Sequence, residues 1–166
     1  MNDRLQLTGS HSIFLAKGPT HNQNLGNDMT GFMRSDDFGK MLLRLSVGGI
    51  LLFHGVFKLS HGVEWIKGPL AGSGLPASLA YGAYVGEIIA PVLIILGYRT
   101  RIAALLVLVD MLMAVFLVLR QQIFAIKEMG GGWAVEIEAF FLLTSLAVFF
   151  MGGGKLSVTR GKSVWD

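Results

Sequence analysis

Seven ionisable side chains stand within or at the ends of strongly apolar stretches: Arg44, His54, Lys58, Glu87, Asp110, Glu136 and Glu138. Carboxyl and imidazole groups in such surroundings exchange protons with a bound molecule, and cationic groups hold its negative oxygens. Three of the seven share residues 41–59, MLLRLSVGGILLFHGVFKL. At 100° per residue, Arg44, Leu51, Gly55, Lys58 and His54 fall on one helical stripe about 80° wide, opposite an aliphatic side. Glu87 lies four residues before Pro91, whose missing N–H frees the Glu87 carbonyl and predicts a local kink beside a buried acid. Asp110 is the single charge in IAALLVLVDMLMAVFLVL.

The elements that must position these groups are membrane helices. The 166 residues are 52% hydrophobic and 15% charged, with mean hydropathy +0.58. The apolar residues come in four stretches, 41–59, 77–97, 102–119 and 134–151. Each is about the length that crosses a bilayer core of about 30 Å. Helices of a soluble protein keep a polar face, and these do not. The expected fold class is therefore an all-α integral membrane protein, a four-transmembrane-helix bundle over residues 38–154. Residues 1–37 read as a mobile polar tail and 155–166 as a short basic tail. The first stretch begins some forty residues in, so it reads as an uncleaved anchor, with Met29, Met33 and Met41 as alternative starts. The Gly and Pro residues of 60–76 argue against regular helix there, beyond a short interfacial turn around Trp65. Gly82 and Gly86 form a small-xxx-small face for helix packing.

Seven basic residues (Arg34, Lys40, Arg99, Arg101, Lys155, Arg160, Lys162) flank one side of the spans, against four (Lys58, Lys67, Arg120, Lys127) on the other. The excess predicts both termini in the cytoplasm of a bacterial inner membrane. Counted from the cytoplasmic ends, Glu87 and Asp110 come within about 2 Å of one depth near the midplane. A lone charge there costs about 2.5–3.5 kcal/mol, so partners are expected. Arg44 is expected to pair with Asp110 or Glu87, and His54 with Glu138 or Glu136. Lys58 and Glu136 read as interfacial. The alternative is that these pairs only set helix order and register.

Other chemistries are excluded. The chain has no cysteine, hence no thiolate nucleophile and no Cys-ligated metal, and no metal site is expected. Gly152-Gly153-Gly154-Lys155-Leu156-Ser157 has Leu156 where a phosphate loop needs Ser or Thr. A bis-histidine haem needs two intramembrane histidines, and only His54 qualifies. Nothing signals nucleic-acid binding.

Assembled in order, the chain resembles the DoxX family of small bacterial and archaeal membrane proteins. The resemblance is carried by Arg44-Leu45, Gly48, Phe53-His54-Gly55, Lys58-Leu59, Gly74-Leu75-Pro76, Gly86-Glu87 and Leu96-Gly97-Tyr98-Arg99-Thr100-Arg101-Ile102-Ala103-Ala104. Gly131-Gly132, Glu136 and Gly152 to Ser157 complete it. Gly153 stands where family members often carry Pro, and either Glu136 or Glu138 fills the family's acidic position. The resemblance implies a four-helix membrane bundle. Relatives include the quinone-reducing subunit of a thiosulfate:quinone oxidoreductase, and proteins attached to membrane oxidoreductase complexes in redox-stress defence. The expectation is a quinone-linked component of a membrane oxidoreductase system. It carries no covalent cofactor and works in the lipid bilayer with an electron-carrying protein partner, a second copy of the chain being a further possible neighbour. The candidate quinone or proton site is His54, Glu87 and Glu138. A non-catalytic assembly subunit is the alternative, and a small-solute or proton carrier ranks last.

Overall fold

The computed structural model describes residues 36–128 and 130–166. The tail expected over 1–37 lies outside them except for Asp36 and Asp37, which open the first helix. That helix, α1 (Asp36–His61), has 26 residues and is long and apolar enough to cross a membrane. Its acidic first turn and its basic last turn, with Lys58 and His61, complement the helix dipole.

Residues 60–76 depart from expectation. A nine-residue helix, α2 (Glu64–Gly72), forms there with Pro69 inside it. Ile66 and Leu70 lie one turn apart and bury, with Val63, against Ala80 and Ala83. That apolar packing outweighs the poor helix propensity of Gly68 and Pro69.

The second crossing helix, α3 (Ala77–Leu96), enters by a 3₁₀ turn over Ala77–Tyr81 and widens to a π segment at Val85–Ile89. It ends where Gly97 turns left-handed at φ 69°. There Gly97 N donates to Ile94 O and Tyr98 N to Leu93 O, the pairing of a glycine-terminated helix. The third, α4 (Thr100–Val118), finishes in another π segment, Ala114–Val118. A hairpin follows, with one isolated bridge between Ile126 and Trp133, and no strand occurs among the described residues. The last helix, α5 (Glu136–Met151), has 16 residues. That is about 24 Å at the helical rise, short of a full bilayer core. Three of the four expected spans thus meet the length of a crossing.

One core joins the four long helices, through Val47 and Leu51 of α1, Ala90 and Ile94 of α3, Val107 and Met111 of α4, and Phe141 and Val148 of α5. The perimeter is apolar as well: Phe53 is 78% exposed, Leu143 64% and Phe150 68%. A surface of that kind suits lipid rather than water.

The small-residue packing differs from the expected face. Gly86 does sit tight, since a Cβ there would overlap the Asp110 side chain of α4, but Gly82 has nothing within 4 Å. Helix backbones approach closely at Gly48 and Gly55 of α1 instead, against the carbonyls of Pro91 and Glu87. Two residues seven apart share a helix face, so this seam runs along α1 rather than α3.

Residues 155–166, expected as a tail, fold over the turn between α3 and α4. Val158 N donates to Leu96 O at 3.0 Å, Thr159 Oγ1 to Gly97 O at 2.8 Å, and Arg99 N to Asp166 Oδ1 at 2.9 Å. Lys155 N donates to Asp37 Oδ1 at 2.9 Å, tying the same segment to the start of α1. Backbone groups orphaned at helix ends find partners here.

Candidate functional site

The site begins with a missing hydrogen bond. Pro91 has no N–H for the Glu87 carbonyl, and α3 is widened at Val85–Ile89 around it. The carbonyl faces Gly55, where any Cβ would overlap it. One turn past that crossing on α1, the Lys58 ammonium reaches back and pairs with Glu87 Oε1. Both side chains are largely withdrawn from the surface, at 14% and 6% exposure. Lys58 also lies 5.6 Å from the centre of the Trp65 ring on α2, a cation–π contact.

Asp110 comes from the facing side. It packs against Gly86, the residue before Glu87, so two carboxyls of neighbouring helices meet beside one ammonium. Glu87 Oε2 and Asp110 Oδ2 are both buried without a hydrogen-bond partner. A cavity of about 540 Å³ opens over them, walled by side chains such as Leu51, Phe57, Leu106 and Met113. His54 of α1 and half-buried Glu138 of α5 line it too. The two π segments both border this cavity, through Val85 to Glu87 and through Ala114, Leu117 and Val118. Such segments recur at functional sites because they turn side chains and carbonyls off the regular helical path.

The candidate residues His54, Glu87 and Glu138 therefore line one space, together with Asp110 and Lys58. Lys58 was expected at the interface; its long side chain instead turns inward because Glu87 and Trp65 stabilise the ammonium there. The signal was legible, since Lys58 sits on the same stripe as Gly55 and His54.

The pairing of Arg44 with Asp110 or Glu87 is not what forms. Arg44, 1% exposed, donates to Ile94 O at 3.1 Å, Ile95 O at 3.2 Å and Leu156 O at 2.5 Å. The end of α3 presents Ile95 O, the second lone pair of Ile94 O beside the bond from Gly97 N, and the negative pole of the helix dipole, so a cation there needs no acid. Gly97 leaves room for the guanidinium, which a Cβ would strike.

The outer pairing also differs. His54 meets the Phe141 ring edge-on at 5.8 Å and makes no hydrogen bond or ion pair among the described residues. Glu136 Oε1 accepts from Lys127 Nζ of the hairpin at 2.8 Å. Being nearer to water, that lysine outcompetes an imidazole as partner for the exposed carboxylate. No cluster of His, Asp and Glu among the described residues could hold a metal ion. The cavity can nevertheless hold an oxygen-bearing apolar molecule, offering hydrogen-bond donors, acceptors and exchangeable protons within apolar walls.

The family model described as DoxX matches residues 39–120, the segment that carries Arg44, His54, Lys58, Glu87 and Asp110. A protein of Bacillus subtilis (strain 168) named "Putative oxidoreductase CatD" is 30% identical over 125 residues, 75% of this chain and 87% of that protein. No solved structure matches the chain. With His54, Lys58, Glu87 and Asp110 brought to one cavity by membrane-length helices, and with matches of this extent, the chain is a multi-pass membrane protein belonging to the DoxX family.

Proposed function

We propose that the protein is the quinone-linked membrane component of an oxidoreductase system, working with a partner protein that carries the electrons. In this reading the chain crosses a bacterial inner membrane four times, with both termini in the cytoplasm. The 16-residue α5 completes its crossing with flanking residues and local thinning of the bilayer. The observation that carries the proposal is the apolar cavity in which Lys58, Glu87 and Asp110 meet. The similarity to a protein named as an oxidoreductase supports the redox class.

A quinone fits the donor set. Its planar ring suits walls of Leu51, Phe57 and Trp65. Lys58 keeps N–H groups beyond the one given to Glu87, and these hold a carbonyl oxygen. Glu87 Oε2 and Asp110 Oδ2, otherwise orphaned, take hydrogen bonds from hydroxyl groups of the reduced form. The bound quinone supplies a two-electron, two-proton couple, with electrons delivered by the partner. The chain's part is to position the oxygens and pass protons through Asp110, Glu87 and Glu138. Apolar walls keep bulk water from competing for those bonds.

Trp65 borders the cavity and reports on it. Titrating protein in lipid nanodiscs with a soluble quinone analogue is expected to quench tryptophan emission saturably, and Trp65→Phe to remove the saturable part. Lys58→Met is expected to weaken binding about tenfold to a hundredfold, the worth of one hydrogen bond from a charged donor. Absence of saturable quenching sinks the quinone reading. The Lys58–Glu87 pair also supports a second reading, in which it sets helix register in a non-catalytic assembly subunit. Glu87→Gln and His54→Gln separate the two in native membranes. An assembly subunit keeps complex formation and turnover, whereas a quinone site assembles and loses turnover.

A further inference from the structure

The cavity described above is not the only one that His54 borders. A second, of about 440 Å³, lies between α1 and the start of α5, lined by Ile50, His54, Glu136, Ile137, Phe140 and Phe141. His54, Ile137 and Phe141 line both spaces, so the imidazole stands in their shared wall. It is exposed, makes no hydrogen bond among the described residues and is braced by the edge of the Phe141 ring at 5.8 Å. Both ring nitrogens are therefore open to a partner. On one side the ionisable groups are Lys58, Glu87, Asp110 and Glu138. On the other is Glu136, whose side chain is 48% exposed and which Lys127 ties to the hairpin.

A buried carboxyl that exchanges protons needs a path to water, and an apolar wall provides none. A neutral imidazole is suited to breach it, because it accepts a proton on one nitrogen while releasing one from the other. We infer that His54 is the proton gate of this protein, exchanging protons between the Glu136 side and the carboxyls of the main cavity. In each passage one nitrogen of the ring takes a proton from water held beside the Glu136 carboxylate, and the other nitrogen gives its proton to Glu87 or Asp110. Rotation of the ring, which no hydrogen bond among the described residues restrains, restores the starting tautomer. One proton moves and the imidazole ends neutral. Phe141 keeps the two spaces separate, so that protons and not a column of water pass.

The inference goes beyond the quinone reading, since it concerns the carboxyls whatever ligand the cavity takes. Its test contains no quinone. The full chain in lipid nanodiscs is given a rapid pH jump, and carboxyl protonation is followed by time-resolved infrared spectroscopy, with Asp110→Asn and Glu87→Gln assigning the bands. His54→Gln is expected to slow protonation about a hundredfold while leaving the final amplitude unchanged, the low end of what a positioned proton-transfer group contributes. His54→Gly is expected to be equally slow and to recover when free imidazole is added to the same sample. Glu136→Gln is expected to slow the step less, because water replaces it. Phe141→Ala, which opens the wall but keeps the imidazole, is expected to be as fast as the parent or faster. A parent-like rate in His54→Gln overturns the inference. So does a slow His54→Gly that imidazole leaves slow, a Phe141→Ala as slow as His54→Gln, or a parent protein in which neither carboxyl titrates. Quinone quenching by the same nanodiscs reports separately on the proposed function.

Discussion

The α-carbon of Gly55 lies against the carbonyl oxygen of Glu87, whose usual α-helical donor, the N–H of residue 91, is missing because that residue is Pro91. Any side chain at residue 55 forces α1 and α3 apart at the point where Lys58 reaches Glu87. Gly55→Ala is accordingly expected to destabilise the protein by about 1–3 kcal/mol, since the obstacle is backbone and cannot rotate away. Gly82→Ala, with open space around it, is expected to stay within about 0.5 kcal/mol of the parent. Reversible unfolding in mixed micelles measures both, and equal losses would refute the crossing.

Lys58→Met leaves Glu87 in an apolar place without its cation. Breaking one side of a buried pair costs about 3–5 kcal/mol, whereas replacing both sides is close to neutral. The double variant Lys58→Met with Glu87→Leu is therefore expected to regain most of the stability that the single variant loses. Unfolding midpoints of the parent, the two singles and the double give the coupling directly. Strictly additive losses argue that the two side chains do not interact.

Arg44 is held by backbone rather than by an acid. Arg44→Met is expected to cost about 3 kcal/mol, on the scale of one or two hydrogen bonds from a charged donor. Arg44→Lys recovers only part of this, because an ammonium lacks the planar reach of a guanidinium across three carbonyls. Exchanging charges in Arg44→Asp with Asp110→Arg is expected to be no more stable than the worse single variant. Recovery in that double would restore the pairing first expected from the sequence.

At the surface of α2, Lys67 Nζ donates to Glu64 Oε1 at 2.6 Å and to the Tyr81 hydroxyl at 3.2 Å. The bond to Glu64, and after it the bond to Tyr81, raise the Lys67 pKa above its ordinary 10.5. A raised ammonium adds stability that is complete below the unfolded value and is lost as pH rises through the folded one. The contribution is small and salt-sensitive because the pair lies at the surface, with the Glu64 side chain well exposed. Titration of the Lys67 side chain by NMR is expected to occur at higher pH in the parent than in Glu64→Gln. Coincident titration of Lys67 in the two proteins would refute the hydrogen bond.

Much was legible in the order of residues alone. The lengths and composition of the apolar stretches dictated membrane helices, because a backbone in lipid must satisfy its own hydrogen bonds. Pro91 four residues after Glu87 announced the irregular turn, since a residue without an N–H leaves a carbonyl unpaired wherever it sits in a helix. Counting from the shared turn between the second and third stretches set Glu87 and Asp110 at one depth, and Asp110 does pack beside Gly86.

Tertiary structure alone decided which charges meet. Helical rise gives depth, but not the rotation of one helix about its axis or the reach of a long side chain. So Lys58 turned inward to Glu87, and Arg44 found carbonyls at the end of α3 that no pairing of ionisable residues would suggest. The helix at Glu64–Gly72 formed against local propensity because Val63, Ile66 and Leu70 had a surface to bury against, one supplied by residues farther along the chain. Spacing along a chain fixes heights and faces; the choice of partner depends on which faces the packed bundle brings together.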